Sequence, residues 1–112
     1  MMKVFDRARV LISYTMTITD STKRFPKKAR FTFVDRMQNM TLEIYRKLSK
    51  ANEYPIAKRK EIQIDVLSDI NVLLALIEIC HDRQYIGMRT MEIWTKKAMD
   101  VKYLTAAWMK KI

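Results

Sequence analysis

At 112 residues the chain can bury one core but is too short to divide into two, so one domain spanning 1–112 is expected. A single glycine and two prolines leave little of the punctuation that hairpins and multi-strand sheets need, which argues for long helices. Lysine and arginine total 22 against 12 aspartates and glutamates, a formal net charge of +10, and such an excess draws a small domain to polyanions, nucleic acid first.

Taken in order, Val4, Ala8, Leu11, Thr15, Ile18 and Thr22 recur at steps of four and three, predicting a first helix over about 3–23. The stretch from Thr22 to Lys28 ends it, since Pro26 disfavours a helical conformation at Phe25 and lacks a backbone donor; a charged loop anchored by Phe25 is expected. Val34, Met37, Thr41, Ile44, Leu48 and Ala51 restart the stripe, widened by Phe31, Phe33, Met40 and Tyr45, for a second helix over about 31–52. Asn52-Glu53-Tyr54-Pro55 reads as a short turn that makes the next helix antiparallel. That helix, about 56–83, carries Val66, Ile70, Leu73, Ile77 and Cys80 on one line and Ile64, Leu67, Leu74, Leu76 and Ile79 beside it. Apolarity over more than one stripe has no use in an isolated bundle and points to burial against another subunit. Gly87 closes this helix or caps the last one, about 88–110, whose stripe is Met91, Trp94, Ala98, Val101, Thr105 and Trp108. The expected fold is therefore all-α, an antiparallel up-and-down four-helix bundle, with the nine methionines filling gaps between helices.

Residues that carry chemistry are sparse. Cys80 and His81 are the only cysteine and histidine and adjoin on a helix, so they face different ways and build neither a nucleophile triad nor a Cys/His metal site. Asp65 and Asp69 lie four apart, with no matching acidic pair or Glu-x-x-His pattern to complete a di-metal centre. A phosphate loop is ruled out by the scarcity of glycine, and the sequon Asn39-Met40-Thr41 falls inside a helix. No catalytic residue, metal or cofactor is expected. Neither a membrane span nor the apolar stretch of a secretory signal is visible, so a soluble cytoplasmic protein without membrane attachment is expected.

Up-and-down topology sorts the positive charge. Lys3, Arg7, Arg9, Arg46, Lys47, Lys50, Lys58, Arg59, Lys60, Lys110 and Lys111 gather at the end that holds the start of the first helix. Lys23, Arg24, Lys27, Lys28, Arg30, Arg83 and Arg89 gather at the other, only partly offset by Asp20 and Asp82. Clustering from separate chain segments is more than one solvated helix face, and the chemistry it offers is phosphate contact, steeply salt-dependent and without base reading.

The segment Phe25-Pro26-Lys27-Lys28-Ala29-Arg30-Phe31-Thr32-Phe33, continuing through Arg36-Met37-Gln38-Asn39 to Ala51-Asn52, resembles the accessory variability determinants of diversity-generating retroelements, as does the late Trp108. The resemblance implies a basic homopentameric barrel of four-helix bundles that associates with a reverse transcriptase and with nucleic acid during mutagenic copying of a template repeat. By position it makes Phe25 and Pro26 fix the loop, Arg30 and Arg36 pair with carboxylates or bind phosphate, and Trp108 pack. Ala106-Ala107 precede Trp108 where glycines are expected, and Glu78 stands where a basic residue is common. A related family encoded within ribosomal RNA genes shares the Phe-Pro turn but carries an Asn-Ile-Ala-Glu-Gly motif absent here; it implies the alternative of a scaffold protein for structured RNA.

Overall fold

The structure is a computed structural model that describes residues 2–111, and every regular element among them is helical. Lys3–Thr19 forms α1, with Val4, Ala8, Leu11, Thr15 and Ile18 buried along one line. The expected end near 23 is corrected to Thr19: the Asp20 N–H still bonds the Met16 carbonyl, but Thr22 is exposed. The chain turns here because Phe25, only 1% exposed, must enter the core, and its N–H is tied back to the Ser21 carbonyl.

The second helix starts at Lys27, earlier than the expected 31. Pro26 is extended at its threshold and opens this helix; a proline costs nothing there because the first turn has no acceptor for its missing N–H. An α turn Lys27–Ala29 leads into a π-helical segment Arg30–Val34 and then the α-helix Asp35–Glu53, a continuous rod, 27–53, termed α2. The widened turn has a sequence cause in Ala29 and Val34, both buried and five residues apart, so a strict α spacing would turn one of them out. Phe31 pays for this by standing 78% exposed.

A 3-10 turn, Ile56–Lys58, precedes the third helix, α3, which is Lys60–Asp82 and does not begin at 56 as expected. The Arg59 guanidinium explains the delay: its Nη2 donates to the carbonyls of Tyr54 (2.8 Å) and Asn52 (3.4 Å), holding the turn folded back. At the far end Gln84 takes the left-handed conformation (φ 65°), with its N–H on the His81 carbonyl and that of Tyr85 on the Cys80 carbonyl. This is the Schellman closure usually given to glycine. Gly87 instead caps α4, Met88–Met109, in an extended conformation open to any residue.

Each helix packs on its chain neighbours and α1 closes on α4, giving a square, antiparallel bundle 45 Å long. The direction is set by cross-contacts: Met37 meets Cys80 while Lys47 meets Asp69, and Trp94 meets Thr15 while Arg59 of the opposite end meets Trp108. The core combines Leu11, Ile44, Leu48, Val66, Ile70, Leu73, Ile77, Ala98 and Val101, each buried leucine, isoleucine or valine among them contributing about 1.5–3 kcal/mol. Trp94 is wholly buried and its indole N–H donates to Thr15 Oγ1 at 2.9 Å, so its polar edge is matched. Among the described residues, no helix is long and apolar enough to cross a membrane.

Candidate nucleic-acid interface

The start of α1, the turn between α2 and α3, and the end of α4 share one end of the bundle, as their antiparallel order demands. Lys3 and Arg7 line a groove between α1 and α4 with Lys96, Asp100, Tyr103 and Leu104. Lys3 also lines the next hollow with Lys111 and Trp108, and Lys111 lines a third with Arg59, Lys60 and Gln63. Arg7, Lys3, Lys111 and Lys60 thus run across three helices as a connected track of cations.

The candidate cations are not equivalent. Arg9 pairs with Asp6 at 2.6 Å, Arg46 with Glu43 at 2.8 Å, and Lys47 with Asp69 at 2.7 Å, so these three are already matched to carboxylates within the chain. The hydrogen bond from Arg46 also lowers the Glu43 carboxyl below the ordinary range. Lys50 lies over the Tyr54 ring, and Arg59 stacks on Trp108, 5.3 Å from the ring centre, while bonding two carbonyls; its first role is to hold the turn. Lys3, Arg7, Lys58, Lys60, Lys110 and Lys111 are exposed and form no ion pair among the described residues. They are the cations available to a phosphate chain.

The opposite end differs. Lys27 and Lys28 are exposed, but Arg83 lies over Phe33, and the Arg30 Nη1 is buried without a partner among the described residues. Arg36 belongs to neither end: it lines the α2/α3 groove with Asn39, Met40, Glu43, Lys47 and Asp69, where the carboxylates oppose an anion.

Sequence reasoning missed two features. Tyr103, 62% exposed beside Lys3 and Arg7, offers a flat aromatic face next to the track. Gln63, buried at the first turn of α3, is polar where the stripe, extended back three residues from Val66, calls for an apolar side chain. Tyr103 falls off the apolar stripe of α4, while Gln63 lies on that of α3 but is polar; only the pairing of helix ends reveals their neighbours.

Little else in the bundle offers chemistry. Cys80 is fully buried against the Met37 sulfur at 3.8 Å, and desolvation pushes its thiol up to about 12, far from a reactive thiolate. Among the described residues, no three His, Cys, Asp or Glu side chains gather as a metal site. Comparison of the chain with protein-family models, curated proteins and solved structures finds no match.

Proposed function

We propose that this protein is a non-catalytic, basic accessory subunit that binds nucleic acid through phosphate contacts in the cytoplasm. The observation that carries this reading is the set of uncommitted cations, Lys3, Arg7, Lys58, Lys60, Lys110 and Lys111, drawn from three chain segments to one end of the bundle, with Arg7, Lys3, Lys111 and Lys60 linked through shared hollows. A single charged helix face would be solvated surface; a track crossing three helices matches the spaced charges of a phosphate backbone.

The resemblance in 25–52 supplies the partner and the assembly: a reverse transcriptase of a diversity-generating retroelement and a homopentamer. What supports self-association in the fold is the outer side of α3, where Ile64, Val72 and Ile79 are 49%, 43% and 39% exposed. Among the described residues no other helix covers them, and exposed apolar side chains grouped in this way favour a subunit contact. A pentamer would repeat the cation track and multiply individually weak contacts.

The test is a salt titration of binding to single-stranded RNA, duplex DNA and an RNA–DNA hybrid, with oligomeric mass measured in the same buffer. Reversing Lys58, Lys60 and Lys111 to Glu should weaken binding by at least about tenfold and flatten the salt slope by roughly one per lost contact. Unchanged binding in a folded variant would remove the interface from this end. A mass near 13.4 kDa would remove the pentamer. Tight binding of structured RNA with no effect on reverse-transcriptase association would favour the RNA-scaffold alternative.

A further inference from the structure

Two buried hydrogen-bond donors without acceptors meet at one place. Gln63 is 2% exposed, and its Nε2 has no partner among the described residues. The Arg59 Nε, at the threshold of the same helix, is buried and unpartnered too, although its Nη2 holds the Tyr54 carbonyl. Both side chains line one cavity of about 290 Å³, with Lys60, Lys111 and Trp108 around them and no aspartate or glutamate in its lining.

The cavity adjoins the first turn of α3, a helix 23 residues long whose N-cap, Arg59, makes no side-chain capping bond. Leading N–H groups of a helix lack intrahelical acceptors and carry partial positive charge. Helix end, orphan amide, orphan guanidinium N–H and two ammonium groups therefore present the same need, an acceptor with negative charge.

Leaving a donor buried and unmatched costs its desolvation, and leucine at 63 would avoid that cost at similar volume. A ligand with several acceptor oxygens and no donors answers every group at once, and a phosphodiester supplies two anionic non-bridging oxygens and two ester oxygens with no donor of its own. We propose that this cavity is a discrete phosphate site that seats one phosphodiester of a bound strand, with Gln63 and Arg59 donating and Lys60 and Lys111 neutralising charge. The phosphate chemistry stands on the cavity; only the source of the phosphate rests on the nucleic-acid reading above.

The experiment follows the side-chain N–H signals of Gln63 and Arg59 by NMR. Inorganic phosphate is titrated against chloride at constant ionic strength, then a short single-stranded oligonucleotide is added. Phosphate should shift both signals saturably, the oligonucleotide should shift the same signals, and added phosphate should compete with it there. Gln63→Leu should keep the helical circular dichroism and lose at least about tenfold in phosphate affinity, as a strong charge-assisted contact is removed. Gln63→Glu, closer in shape, should do the same by placing like charge in the cavity. Linear shifts shared with Lys50 and Lys58 would overturn the site, as would folded variants that bind phosphate like the parent. Phosphate binding with oligonucleotide bound elsewhere would overturn the strand assignment and leave the proposed function intact. Saturable phosphate binding with no oligonucleotide binding at all would uphold the phosphate pocket, sink the strand assignment and sink the proposed function.

Discussion

The two ends of the bundle are both basic, yet they are built on different physics. Around the 20–29 loop, Phe25 is buried against Tyr85, with ring centres 5.3 Å apart, and Phe33 meets the same tyrosine edge-on at 5.8 Å. This end is held by aromatic packing, and a polar chain from Gln38 Nε2 to Thr19 Oγ1 and on to the Thr15 carbonyl matches its buried hydroxyl. At the other end a guanidinium grips carbonyls, stacks on an indole, and leaves donors unmatched beside a cavity. Net charge alone does not distinguish them. The packed end, although the Arg30 Nη1 is unmatched there too, spends most of its residues on closure; the other gathers two unmatched donors at a cavity ringed by cations, which is what a binding surface requires.

Substitutions should separate the ends by magnitude. Phe25→Ala removes a ring from the packed end and should cost about 3–5 kcal/mol, read by denaturant unfolding; a loss under about 1 kcal/mol would mean that the loop is not anchored there. Alkali adds a second test, through the buried thiol of Cys80. Cys80 remains protonated in the folded protein to about 12, against an ordinary thiol near 9.0, so above pH 9 the unfolded chain releases its proton first. Folded stability should then fall by roughly 1.4 kcal/mol per pH unit between those values from this group, and the fall should be absent in Cys80→Ala when the two proteins are compared across the range. The smallest effect belongs to the cavity end: Arg59→Lys keeps the charge but cannot grip two carbonyls while stacking on Trp108, and should cost about 1–2 kcal/mol. An unchanged melting temperature would show that the 52–59 turn folds without its guanidinium.

The four stripes were legible because helical burial repeats every three or four residues: Val34 to Ala51, Val66 to Cys80 and Trp94 to Trp108 are buried where periodicity puts them. Helix ends were less so. Pro26 reads equally as a stop or a start, and only the burial of Phe25 decided that α1 ends at Thr19 and that Pro26 opens α2. The π segment left a trace, the five-residue step from Ala29 to Val34, but a buried pair cannot be told from coincidence before its partners are placed.

The sequence by itself determined an all-helical bundle and an excess of cations at its ends, because both depend on spacing and composition along one chain. Which cations remain available depended on contacts between helices and within turns. Lys47 is tied to Asp69, 22 positions away, Arg59 to carbonyls across its turn, and Lys111 is brought beside Lys60 and Gln63 only by antiparallel packing. Such neighbours are remote in sequence, so their pairing or its lack is decided by the tertiary structure alone.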